Sequence, residues 1–260
     1  LLFEKQDNEL CERYLDYFHI QAYKEEQLNR EKGHPSYTED SFMTLKDMEY
    51  SAIFHEQGLG KTKIAIDLLL YWLQKRDIDT VMIVTKKQLV KNWQDEFIVH
   101  THIRPKILTN NKAENYFVLN SPAKVIITNF ETLSTDKKRI ELFLKCRNVG
   151  IIIDESTKLK NPDAKLTQDF FELAPLFKIR NIMTGTPVAN RPYDIWAQIF
   201  FLDMGESLGS DFSEFKKSTD LRNDSEVNNG ALLDFQESVG AIYSKIAHFS
   251  VRETKKTCGI

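Results

Sequence analysis

The stretch His55-Glu-Gln-Gly-Leu-Gly-Lys-Thr62 brings together the parts that a chain of phosphates requires. Gly58 and Gly60 allow backbone N–H groups to close around an anion, Lys61 brings a neutralising ammonium, and Thr62 offers a hydroxyl to Mg2+ at a helix start. The strict phosphate-loop pattern also wants a glycine five residues before Gly60, and His55 stands there instead. A glycine turn with a surface lysine would read similarly in isolation, so the question passes to a partner motif. That partner is Asp154-Glu155, which ends the apolar run Val149-Gly-Ile-Ile-Ile153. A buried strand that delivers two acids sets Asp154 near Mg2+ and Glu155 near an attacking water. As a bare helix N-cap the pair would carry no chemistry. Beside the loop it reads as the second half of an ATP-hydrolysing site. Thr184-Gly185-Thr186-Pro187 follows another apolar run, so its hydroxyls can reach the same sheet edge as Asp154; a plain strand-end turn is the alternative.

These residues need strands to end beside one another, and the sequence supplies them. Runs at 51–55, 80–85, 124–128, 149–153 and 178–184 are nearly continuous in Val and Ile, the pattern of strands covered on both faces. Amphipathic stretches at 61–75, 88–97, 137–146 and 164–173 alternate with them, which predicts an α/β fold with a mostly parallel sheet and helices on both faces. Residues 1–49 are charged and helix-prone, with Leu10, Tyr14, Tyr17 and Phe18 at helical spacing and a turn around Gly33-His34-Pro35-Ser36. Residues 50–205 form the expected ATP-binding lobe, and 206–260 read as its helical, polar end. There is no internal repeat and no low-complexity segment.

The chain resembles the first, RecA-like lobe of the Swi/Snf-type ATPases, a branch of the superfamily-two helicase-like motors. In that family the loop reads close to D-E-x-G-L-G-K-T, so this chain departs only at His55, and the strict loop glycine is absent in the family too. "VMIVTKKQLVKNWQDEF" is similar to motif Ia with its Asn92-Trp93, although Lys86 stands where a proline is usual. "VIITNFETL" resembles motif Ib, "IIIDESTKLKNP" motif II, and "MTGTPVANRPYDIWAQIFFLDMG" motif III with the helix after it. Motif II has Thr157 where the family's DEAH form has His. "LGSDFSEF" and "FSVRETKK" resemble the closing stretch of the lobe, which extends the resemblance from about Tyr50 to Lys256.

The resemblance implies a P-loop NTPase lobe that uses ATP and Mg2+, lined by Gln57, Gly58, Leu59, Gly60, Lys61, Thr62 and Lys63, with Thr62 and Asp154 on the metal and Lys61, Asp154 and Glu155 in catalysis. It implies double-stranded DNA as a partner, contacted through Lys86, Lys87, Lys91, Thr128, Asn129 and Lys160, and coupling through Thr184, Gly185 and Thr186. It also implies a second RecA-like lobe that supplies arginine fingers, so the chain reads as a piece of a longer protein. An upstream glutamine that reads adenine would be Gln6, with Gln21 as the second candidate. A strand-separating helicase on DNA or RNA shares these motifs, and a nucleotide-dependent scaffold without turnover is the rival of another class.

Composition narrows the partners. Lys and Arg number 35 against 38 Asp and Glu, a net charge of -3, so no global positive field draws the chain to nucleic acid and any contact must be local. The lysine clusters would otherwise be solvated helix faces, as would Lys137-Lys138-Arg139. Trp93 and Trp196 sit at helical spacing with other apolar residues, which predicts core packing rather than base stacking. His100 and His102 lack a nearby third ligand for zinc. Three scattered cysteines suit neither disulfides nor a metal clip, and no apolar run reaches a membrane span. The expectation is a cytoplasmic protein, or one in the nucleoid or nucleus, wherever the DNA is.

Overall fold

A computed structural model of the chain describes residues 36–188, 190–219 and 229–259. The described residues form a seven-stranded sheet in which every pairing is parallel, with strand order β3-β4-β2-β5-β6-β1-β7. The strands are β1 (Tyr50–Ile53), β2 (Thr80–Thr85), β3 (Lys106–Ile107), β4 (Val125–Asn129), β5 (Val149–Asp154), β6 (Ile179–Met183) and β7 (Ser250–Val251). Around them lie α1 (Ser36–Leu45), α2 (Lys61–Lys75), α3 (Val90–His100), α4 (Lys112–Leu119), α5 (Phe130–Thr135), α6 (Lys137–Cys146), α7 (Lys165–Leu173), α8 (Trp196–Asp203), α9 (Phe212–Thr219) and α10 (Asn229–Ile246).

The sheet is buried on both faces because its strands are apolar at consecutive positions, and the period-two pleat deals those residues to opposite sides. Ile53, Val81, Ile83, Ile127 and Ile152 pack on Ile64, Leu68, Leu69 and Trp72 of α2 and on Trp93 and Phe97 of α3. Ala52, Met82, Val84, Ile126, Ile151 and Ile153 face the other layer, with Phe130, Phe170, Trp196, Phe201 and Phe249. Gly150 leaves room for the first layer: a Cβ there would sit 3.4 Å from the Trp72 ring. Truncating a core residue such as Ile152 to Ala would cost about 2 to 5 kcal/mol.

Parallel pairing throughout sends the C-terminal ends of all strands to one edge, where open α/β sheets bind ligands. The order of strands matters further. Between β1, which leads into the phosphate loop, and β5, which ends in the acid pair, lies β6 alone. The Thr184-Gly185-Thr186 turn that leaves β6 therefore falls between the loop and the acids. The stretch 206–260, expected to be helical, also supplies β7, which adds to the sheet beside β1 with Ala52 opposite Ser250 and Ile53 opposite Val251.

Candidate functional site

The loop after β1 turns on two left-handed glycines, Gly58 (φ 88°) and Gly60 (φ 73°), a conformation that a side chain disfavours. Gly60 is the N-cap of α2 and no side chain caps that end, so the first-turn N–H groups of α2 are left facing the loop. Nothing lies within 4 Å of where a Cβ on Gly58 would be, so the turn is open there. Lys61 curls back over it, its Nζ donating to the carbonyls of His55 (2.9 Å) and Glu56 (3.1 Å). Burial holds the Lys61 ammonium below the ordinary lysine range, while the nearby Glu155 and Asp154 carboxylates pull it up. Lys61 and both acids thus share one site. Thr62 and Lys63 follow in the first turn of α2, where Lys63 pairs with Asp67 at 2.6 Å, and Leu59 turns into the core.

Opposite the loop, Asp154 ends β5 as a buried carboxylate. Burial raises its pKa above the usual carboxylate range, and hydrogen bonds to Trp93 and Thr85 oppose the rise. Both donors meet the same atom: Thr85 Oγ1 lies 3.0 Å and Trp93 Nε1 2.9 Å from Asp154 Oδ2. Glu155 then leaves the strand with φ 58° and ψ 49°, a left-handed backbone that costs a non-glycine residue about 1 to 2 kcal/mol. Strain of that kind at a strand end gathers where side chains must be aimed. Its carboxylate lies 3.3 Å from Lys86 Nζ. The β6 turn completes the arrangement: a Cβ on Gly185 would come within 3.4 Å of Gln57 N, 3.6 Å of His55 O and 3.7 Å of Lys61 Nζ. Thr184 is buried and accepts the Thr186 N–H at 3.3 Å, while the Thr186 side of the turn is exposed.

His55, the residue that breaks the strict loop pattern, is fully buried. Its Nδ1 accepts the Glu253 N–H at 3.1 Å, which places the ring proton on Nε2. Ser41 Oγ, 2.9 Å away, gives its own proton to the Tyr37 carbonyl at 2.6 Å and so receives that of the ring. Desolvation lowers the His55 pKa to about 4; of the facing charges, Glu253 opposes this and Lys61 reinforces it. A neutral imidazole thus ties the loop's root to α1 and to the segment after β7. That segment runs alongside the root, with Phe54 N donating to Val251 O (2.8 Å), Glu56 N to Glu253 O (2.9 Å) and Lys255 N to Glu56 Oε2 (3.0 Å).

Motif II and motif III are joined without a histidine. Ser156 Oγ donates to Gln198 Oε1 at 2.7 Å, and Gln198 Nε2 donates to the carbonyls of Pro187 (2.9 Å) and Asp194 (3.0 Å), all within the core. Neither Ser156 nor Gln198 was picked out by sequence reasoning; their only sequence signal is a polar residue inside an apolar helix, Trp196-Ala-Gln-Ile-Phe-Phe.

The residues proposed to face DNA divide into two groups. Lys86, Lys87, Lys91 and Lys160 are exposed, but Lys86 pairs with Glu155 and Lys91 with Asp95 (2.7 Å), while Lys87 and Lys160 have no ion pair with a described residue. Thr128 is buried, and Asn129 turns its Oδ1 to the Thr132 N–H at 2.9 Å as the N-cap of α5, so their side chains serve the fold. His100 lies 3.2 Å from Glu96. Trp196 stacks on Phe200 with ring centres 4.8 Å apart, within the core as its spacing implied. Gln6 and Gln21 fall outside the described residues.

The fold and this edge define a RecA-like α/β lobe in which a glycine-rich loop bearing Lys61 and an acid pair lie on either side of β6. The chain belongs to the SNF2-related family, whose model matches residues 41–258. Among its relatives, it is 29% identical over 185 residues to a putative protein, p41, of Acyrthosiphon pisum secondary endosymbiont phage 1, covering 66% of this chain and 39% of that protein. It is 27% identical over 197 residues to the ISWI chromatin-remodeling complex ATPase ISW2 of Saccharomyces cerevisiae, covering 71% of this chain and 17% of that one. The Sulfolobus solfataricus SWI2/SNF2 ATPase core shares the fold, with a TM-score of 0.68 and 23% identity in its complex with dsDNA and 0.63 and 26% without it. The chain covers 46% and 44% of those two structures, with 88% and 86% of its own length aligned. It thus spans less than half the length of each of these proteins.

Proposed function

We propose that this chain is the ATP-binding lobe of an ATP-dependent double-stranded DNA translocase, with a second RecA-like lobe completing the site. The observation that carries the reading is the strand order, which sets the Lys61 loop after β1 and the Asp154-Glu155 end of β5 on either side of the β6 turn, with Gly185 beside the Lys61 ammonium. Family membership and the name of the yeast relative, an ATPase, support it. The open turn at Gly58, the left-handed Gly60 and the uncapped helix end suit the β- and γ-phosphates, and Lys61, now on two backbone carbonyls, is the cation that would turn to them. A hydroxyl at the start of α2 and a carboxylate oxygen at the end of β5 are hard oxygen donors of the kind Mg2+ takes, so Thr62 and Asp154 are assigned to it. Bound there, Mg2+ would supply charge neutralisation between the phosphates. Glu155, held by its left-handed backbone next to Asp154, would orient water in line with the terminal phosphate.

On the DNA side, Lys87 and Lys160 are the strongest candidates for phosphate contact, because neither is engaged by a described acid. Contacts to phosphates alone make binding indifferent to base sequence. The double-stranded DNA partner that the family resemblance implies is preferred here to a strand-separating role. Intact Lys61, Asp154 and Glu155 disfavour a scaffold without turnover. No helix among the described residues is long and apolar enough to cross a membrane. The test is a duplex-stimulated ATPase assay with a strand-displacement assay on the full-length protein. ATP turnover that rises with duplex, without displaced strand, is the expected result; displaced strand establishes a helicase, and absent turnover a scaffold.

A further inference from the structure

We infer that Trp93 is a positioning residue for the metal-binding carboxylate, acting with Thr85 to present Asp154 Oδ1 to the cation; the inference rests on the assignment of Asp154 to Mg2+. Trp93 was expected only to pack, and it does pack, with 2% exposure and its ring tilted against Phe97. A packing role does not require its indole N–H to end 2.9 Å from Asp154 Oδ2. Thr85, at the end of β2 and fully buried, brings a second donor to that atom at 3.0 Å. β2 and β5 are neighbours in register, with Val84 opposite Ile153, so the sheet itself sets Thr85 beside Asp154.

The convergence has two physical consequences. Two side-chain donors converge on Oδ2 and hydrogen-bond to that oxygen rather than to Oδ1, and the Glu155 backbone N–H adds a third donor to the carboxylate, so the group is oriented from several directions. Both donors are neutral, so they orient the group while leaving its negative charge for a cation. A lysine in the same place would have cancelled it. The nearby ammonium groups in fact lie elsewhere: Lys61 on the carbonyls of His55 and Glu56, and Lys86 on Glu155. An indole N–H is a donor only, so it meets Oδ2 as an acceptor. Hydrogen-bond partners that orient a metal ligand are typically worth about 10- to 100-fold in metal affinity.

The test uses the full-length protein and N-methylanthraniloyl-ADP, with affinity measured in saturating MgCl2 and again in EDTA. The quantity read is the ratio of the two, the Mg2+ enhancement. Trp93→Phe keeps the ring and removes the N–H; Thr85→Val keeps the shape and removes the hydroxyl; Asp154→Asn sets the floor. Trp93→Phe should lower the enhancement about tenfold, with the affinity in EDTA unchanged and with no further loss when added to Asp154→Asn. Should Trp93→Phe fail to fold, Thr85→Val decides by the same ratio. An enhancement within twofold of wild type in a folded Trp93→Phe protein, with Asp154→Asn reduced, would overturn the inference and leave the metal site standing. An equal loss of affinity in MgCl2 and EDTA would also overturn it, by showing that Trp93 supports only the fold. An Asp154→Asn protein with wild-type enhancement would remove the metal assignment itself, and the inference with it.

Discussion

Mild acid should loosen this fold through a single residue, His55. Its ring is buried, its Nδ1 accepts the Glu253 N–H, and desolvation brings its pKa to about 4 against 6.5 in an open chain. Between those values the unfolded chain binds a proton that the folded chain excludes. Stability from this group is therefore complete above about pH 6.5 and is lost progressively as the pH falls toward 4. At about 1.36 kcal/mol per pH unit the gap sets an upper limit of about 3 kcal/mol, and water entry around the charged ring reduces it to about 2. The reference is His55→Asn, which retains an oxygen acceptor for the Glu253 N–H and does not titrate. Urea unfolding of both proteins at fixed ionic strength, from pH 7.5 to 4.5, removes the carboxylates common to the two from the comparison. The stability advantage of wild type over the variant should shrink by about 2 kcal/mol across that range. A difference that stays flat would mean that the folded protein accepts the proton, and that the hydrogen-bonded tautomer is wrong.

Catalysis, the buried relay and the DNA face each offer a further test. In the full-length protein Lys61→Ala should abolish ATP turnover, and Glu155→Gln should retain nucleotide binding while hydrolysis stops, as read by a phosphate-release assay beside a binding titration. Ser156→Ala leaves Gln198 Oε1 without its donor and should lower stability by about 1 to 3 kcal/mol; Gln198→Leu should cost more, since it also strips donors from the Pro187 and Asp194 carbonyls, and thermal unfolding that ranks the two the other way would contradict the relay. Lys87→Ala with Lys160→Ala should weaken duplex binding and flatten its log–log salt slope by about 2, whereas an unchanged slope would mark both as solvated surface.

Much of the scaffold was legible because its strands are apolar on both faces and its long helices amphipathic. The helices at 61–75 and 137–146 and the strand at 80–85 fall where periodicity put them. β3 and β7, at two residues each, are too short to show a period, and both exist only through their neighbours in the sheet. The loop glycines, Lys61 and the acid pair were legible as motifs, because their chemistry depends on residue type. What spacing did not reveal is where side chains end. Trp93 announces a core position by its distance from Phe97, yet its N–H meets a carboxylate 61 positions away in the chain. The same holds for Lys86, whose charge suggested a phosphate and whose neighbour is Glu155.

The pairing of residues 249–255 with the root of the phosphate loop divides that loop into two mechanical parts. Residues 52–56 are clamped by successive hydrogen bonds to Phe249, Val251, Glu253 and Lys255, with His55 bolted across them. Only the tip from Gln57 to Gly60, exposed at Gln57 and Gly58 and hinged on two left-handed glycines, is outside the clamp. Residues 253–255 thus touch Glu56 and His55 directly, with no core residue between them. In engineering terms the root is a bracket shared by the loop tip and the turn at Thr254–Thr257.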